Sequence, residues 1–419
     1  MITPPGGPSL SGPARPRPAR RGVAPLRDFP TILWLCIAGV VAVLQPVITE
    51  STWLLVHLAL LGALSHAMLA WSTFFAQALL KTPESADPPR LQTARFLLLA
   101  IGAACVFLGV PGGRWWLVLA GAVIVAAAVA VHSVAMARRL RAALPGRFTV
   151  TVRYYLAASI CLPVGAAFGV LLARWPAADL FGRLILSHTV TMLLGWVGLT
   201  VMGTLVTFWP TLLRTRVHPL AARRTQQALP VLIAGVALVD AGALADLRWL
   251  AVTGLTVHLA ATVWWGSTLL RPVLAAPPRR APGVFAASAL VWGLVLLVSL
   301  ILHVARADSW GHLVGGYLPL TTIAVLGFAL QLLTGALSQL VPTVLGGGPA
   351  VRAVVDREFD RLTLVRWVLL NGGLLVALLP VPGDVRRIAL AIVMVTVLTL
   401  VPLLLRGIVA GVRAKRAAP

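Results

Sequence analysis

Apolar runs of 18 or more residues recur between Thr31 and Leu405. Each is long enough to cross a hydrocarbon core of about 30 Å as a helix. No other feature constrains this chain as strongly, because a polypeptide in lipid must satisfy its backbone hydrogen bonds within helices or closed barrels. The sequence is 59% hydrophobic and 11% charged, against about 25% charged residues in soluble proteins. The expected fold class is therefore an all-α integral membrane protein, surrounded by the lipid bilayer.

Twelve transmembrane helices are expected, over 30–49, 52–80, 95–110, 114–136, 151–174, 182–209, 227–245, 249–270, 283–303, 310–342, 362–380 and 387–406. Residues 1–29 are rich in Pro, Gly and Arg and read as a disordered basic tail. Residues 30–406 form a single polytopic membrane domain, and 407–419 read as a second basic tail. The first apolar run, Thr31–Ile48, is long for a signal-peptide core and lacks a small-x-small exit. Cys36, Cys105 and Cys161 sit singly in apolar runs and give no disulfide or metal spacing.

Charge fixes the expected orientation. With the N-terminus inside, 27 basic residues fall in inner segments and 7 in outer ones, with Arg366 at a helix end. That asymmetry is the positive-inside pattern of a multi-pass chain with both termini cytoplasmic, as in a bacterial inner membrane. It also accounts for the net charge of +23 without a nucleic-acid partner. The acidic residues lie in tails, loops or helix ends, and only Asp240 approaches membrane depth. A proton-driven pump, which needs embedded carboxylates, is disfavoured.

The expected helices 2, 6 and 10 are the longest, and each carries a histidine near its start: His57 (then His66), His188 and His312. The intervals, 57 to 188 and 188 to 312, are 131 and 124 residues. Each is about one four-helix unit, so the chain reads as three quasi-equivalent units near 30–174, 182–303 and 310–406. On a regular helical period His188 shares a face with Thr191, Gly195, Gly198 and Met202. The glycines would leave a flat recess beside the imidazole, suited to a planar macrocycle. His312 with Gly315 and Gly316 repeats the device. Glycines of this kind also serve close helix packing. His132 and His218 are expected to be solvated on the cytoplasmic side, with His258 and His303 as weaker candidates.

This arrangement resembles the haem–copper oxidase subunit I superfamily. In that family a haem-ligating histidine on helix 2 precedes a proline near the inner end, and here His188 precedes Pro210 by 22 residues. At finer grain, HLALLGALSHAMLAWS (57–72), RFTVTVRYYLAASICLPVGA (147–166) and GWVGLTVMGTLVTFWPTLLRT (195–215) are similar to a bacterial membrane module. So are GHLVGGYLPL and GALSQLVPTVLGGGP, within 311–349. That module precedes cupredoxin domains of multicopper oxidases and copper nitrite reductases. The resemblance implies one or two b-type haems, with His57 and His188 as first-choice axial ligands and His312 and His66 next.

The departures from the family limit what is implied. The helix-7 segment QALPVLIAGVALVDAGALADL lacks the paired copper-binding histidines, and Thr321 and Thr322 stand where helix 10 carries its haem ligands. No copper is expected in this chain, and it is not a terminal oxidase. After helix 12 only GIVAGVRAKRAAP remains, so a copper partner would be separately encoded. The expected function is electron transfer from quinol or another membrane donor to an outer-face copper oxidase or nitrite reductase-like partner. Two alternatives stand: a permease for a small molecule or metal, and a ligand-free membrane anchor that organises a partner.

Overall fold

The computed structural model describes residues 29–82, 88–144 and 146–417, so the expected tail lies outside the described residues as far as residue 28. The chain is 87% helical, with no strand among the described residues. In order the helices are α1 (Phe29–Val43), α2 (Ser51–Leu80), α3 (Pro89–Gly109), α4 (Trp115–Ala142), α5 (Thr149–Leu172), α6 (Ala178–Leu213) and α7 (Ala221–Leu244). They continue with α8 (Arg248–Ala275), α9 (Ala281–Arg306), α10 (Trp310–Leu345), α11 (Gly348–Phe359), α12 (Thr363–Leu378), α13 (Gly383–Leu398) and α14 (Leu400–Ala417).

Among the described residues, ten helical segments are long and apolar enough to cross a membrane, counting α11–α12 and α13–α14 as one each. All twelve expected segments are helical, but two fall short of that standard. Helix α1 has 15 residues, which at about 1.5 Å per residue is shorter than a hydrocarbon core. Helix α8 is 28 residues long but carries Arg248, His258, Arg271 and several hydroxyls. Residues 407–417, expected as tail, continue α14.

Helices α2, α6 and α10 form the interior. Of their most apolar stretches 61, 67 and 83% is buried, against 22–39% for the other membrane-length helices. All three contain a π-helical segment, at Leu58–Leu64, Thr191–Gly198 and Ile323–Ala329. A π segment adds a residue to the turn and displaces the helical phase beyond it. Each holds a glycine, and the intervals from Gly62 to Gly195 and from Gly195 to Gly327 are 133 and 132 residues. A neighbouring helix presses a side chain onto each: Trp34 of α1, Cys161 of α5 and Trp292 of α9 would meet an added Cβ at 2.9, 2.7 and 2.9 Å.

The hairpins α3–α4 and α7–α8 repeat a second device at the same interval of 133. In each, two glycines face one another, Gly102 with Gly121 and Gly235 with Gly254. A Cβ on any of the four would lie 2.7–3.0 Å from the opposing carbonyl oxygen. Backbones therefore touch, as small residues permit in membrane bundles.

Cross-links define the two ends of the bundle. At the basic end Arg147 donates to the carbonyls of His218 and Pro219, and Arg280 pairs with Asp356 and Asp360 at 3.0 and 2.8 Å. At the other end Trp115 Nε1 donates to the Val170 carbonyl, and Trp310 Nε1 to Asp246. His57 and His188 lie toward this second end, one or two turns into α2 and three into α6.

Overpacking costs typically about 1–3 kcal/mol, so Gly121→Val and Gly254→Val should each lower the melting temperature of the detergent-solubilised protein. Gly372→Ala, where an added Cβ meets nothing within 4 Å, should leave it unchanged or slightly raised. Equal melting of all three variants would contradict the backbone contact.

Candidate cofactor site

A cavity opens at the histidine end between α2, α3, α4, α5 and α6. Its walls are mostly apolar, formed by residues such as Leu61, Val106, Val125, Leu162, Ala166 and Leu193, with Trp53, Trp175 and Phe181 contributing aromatic wall. The cavity volume is about 220 Å³. The polar side chains in the wall are Glu50, Ser65, His57 and His188.

The two imidazoles meet across this cavity. Their ring centres lie 6.2 Å apart and their planes are inclined by 26°. His57 Nδ1 bonds the Trp53 carbonyl of its own helix at 2.8 Å, and His188 Nδ1 bonds the Gly165 carbonyl of α5 at 2.8 Å. A carbonyl can only accept, so Nδ1 carries the proton in both rings and Nε2 keeps its lone pair. Metal-ligating histidines commonly have their second nitrogen held by an outer acceptor; His66 and His258, outside the cavity, make the same kind of bond. Gly169, one turn beyond Gly165, makes room for the ring: a Cβ there would lie 3.1 Å from His188 Cε1. Trp53 stacks on His57, with ring centres 4.0 Å apart and planes 23° apart.

The imidazole donor set facing the cavity is the pair His57 and His188. Among the described residues no group of three or more His, Cys, Asp or Glu side chains is placed to hold a bare metal ion. Two imidazoles alone suit an iron that brings four equatorial nitrogens of its own. Imidazoles on opposite sides of one metal, with metal–nitrogen bonds of about 2 Å, have ring centres roughly 6.3 Å apart. The observed separation of ring centres, 6.2 Å, is close to that spacing, and the cavity walls are mostly apolar.

The other expected site residues are elsewhere. Gly195 and Gly198 do not form a recess under His188: Gly195 is filled by Cys161, and a Cβ on Gly198 would lie 3.1 Å from the Leu193 carbonyl. The cause is the π segment Thr191–Gly198, which breaks the regular period that placed them below the imidazole. Met192, Leu193 and Trp196 face the cavity instead. His66 is 1% exposed and lies against Trp34, its Nδ1 bonded to the Gly62 carbonyl at 2.6 Å. Its neighbour Ser65 lines the cavity and accepts from Trp196 Nε1.

His312 is exposed on the first turn of α10, and Gly315 has open space beside it. Neither approaches the cavity. Relative to the π segments, His57 stands one residue before, His188 three and His312 eleven, so similar intervals in sequence do not make equivalent positions. The recess expected at Gly316 is occupied by the ring of His303, whose Nε2 bonds the Leu313 carbonyl at 2.7 Å. His132, expected in solvent, is 2% exposed and bonds Ser72. His258 is also buried, with Nδ1 on the Leu232 carbonyl. Asp240 accepts from Thr191 Oγ1 at 2.8 Å, on the same helix as His188.

Three contributors escaped the sequence reading. Gly165 and Gly169 form a small-xxx-small pair in VGAAFG, a readable packing signal but not one that names a histidine. Trp53, near a helix start, reads in sequence as an interfacial anchor. Comparison with protein-family models and with curated proteins finds no match for the chain.

Acylation of the purified protein by diethylpyrocarbonate, read by mass spectrometry, should modify His312 early and leave His66, His132 and His258 protected. Early modification of His66 would contradict its placement against Trp34.

Proposed function

We propose that this chain is a haem b-binding electron-transfer module of a bacterial cytoplasmic membrane, with His57 and His188 as the axial ligands. The convergence of two imidazoles, each with its Nδ1 proton given to a main-chain carbonyl, carries the reading. A bound haem would supply one-electron chemistry, its potential set by the axial ligands and the surrounding dielectric. The chain's residues supply position and field. The carbonyls of Trp53 and Gly165 fix the tautomer that leaves Nε2 available, Gly169 clears space, and the aliphatic and aromatic walls exclude water.

The sequence resemblance and the basic asymmetry support the finer assignments: twelve spans, both termini cytoplasmic, and the histidine end on the outer side. Electrons would then pass from quinol or another membrane donor to a copper protein at that side. The absence of histidine from α7 argues against dioxygen reduction at a haem–copper pair.

Protein purified from haem-replete cells should give a reduced-minus-oxidised haem b spectrum. His57→Ala and His188→Ala should abolish or strongly shift it, while His312→Ala and His66→Ala should retain it. A haem-free wild-type protein would leave the anchor or permease reading. A spectrum lost in His312→Ala but kept in His188→Ala would contradict the ligand assignment.

A further inference from the structure

The two candidate ligands are held unequally. His188 is fixed across a helix boundary by the Gly165 carbonyl, with Gly169 against its Cε1 edge. His57 is bonded only to the carbonyl one turn back on its own helix, that of Trp53. A ring tethered through one nitrogen can still swing about that hydrogen bond. The indole of Trp53 lies along one face of the imidazole at 4.0 Å and 23° and blocks the swing. The same residue therefore fixes the ring's tautomer with its main chain and faces its plane with its side chain. An interfacial anchor would turn its indole toward the headgroups, whereas Trp53 is half-buried in the cavity wall.

We infer that Trp53 is a positioning residue that keeps the His57 ring nearly parallel to His188, and so would set the electronic ground state of an iron held by the two rings. This rests on the haem reading above. In low-spin ferric iron with two axial imidazoles, each ring interacts with the iron d orbital perpendicular to its own plane. When the planes are nearly parallel both rings act on one orbital, the degenerate pair splits, and the electron paramagnetic resonance spectrum is rhombic. When they are crossed the pair stays nearly degenerate and the spectrum collapses to one strongly anisotropic low-field feature. The interplanar angle of 26° belongs to the first case, and the stacked indole maintains it.

The test compares the ferric spectra of the wild-type protein, Trp53→Phe and Trp53→Leu, with haem content measured on each sample. All three keep the main-chain carbonyl, so only the stacked face changes. The wild type and Trp53→Phe should show the rhombic signal. Trp53→Leu should convert to the anisotropic low-field signal, or lose haem that Trp53→Phe retains. A rhombic signal in Trp53→Leu at wild-type haem content overturns the inference, as does an anisotropic signal in the wild type. Haem loss in both variants also overturns it, because the side chain would then serve the fold and not the ring plane. A wild-type protein with no haem overturns the underlying reading instead, and the haem assay separates that outcome from the others.

Discussion

An imidazole placed in a lipid-embedded bundle brings two polar nitrogens into a medium where an unmatched polar group costs several kcal/mol. This chain meets that constraint in the same way at four histidines, His66 and His258 included. His57 and His188 each give the Nδ1 proton to a main-chain carbonyl, one from the same helix and one from α5. The remaining nitrogen of each ring is a lone-pair donor in a shared cavity. Tautomer, ring position and available chemistry all follow from those two hydrogen bonds. Without them the rings would be ordinary buried polar groups in need of partners.

The helices that carry the rings are also those that break the regular helical period. Because α2, α6 and α10 lie innermost and each contains a π segment, the geometry around the site is set by where the extra residue falls. Small residues then let other helices close on the bulges. Trp34, Cys161 and Trp292 each press on a bulge glycine, and paired glycines bring the backbones of two hairpins into contact. These contacts recur at intervals of 132–133 residues, yet the histidines do not keep that register. The repeated contacts build the frame, and the two-histidine site is specific to α2 and α6.

Much of the fold was legible because length and apolarity are read directly from composition along the chain. Every expected span is a helix, and the three that stood out by length are the three inner ones. His57 and His188 are both prominent in the sequence near the starts of long helices, but so is His312, and that position alone does not decide which rings meet. What failed was anything that depended on helical phase. Gly195 and Gly198 share a face with His188 only if the period is 3.6 residues throughout, and a π segment leaves no sequence mark that a wheel can detect. His312 failed for a related reason, lying eight residues farther from its π segment than His188 does from its own. Trp53, Gly165 and Gly169 were hidden because their roles are relational: a stacked face, an accepting carbonyl and a space, none of which a residue type announces.

If His57 and His188 hold one haem, their Nε2 atoms would share its iron. The most direct measurement is a cryo-electron-microscopy map of the full chain purified from haem-replete cells. The account expects a flat disc of density filling the cavity, continuous on both sides with the imidazoles of His57 and His188. Lipid or solvent density there, with the two rings turned away from each other, would contradict it.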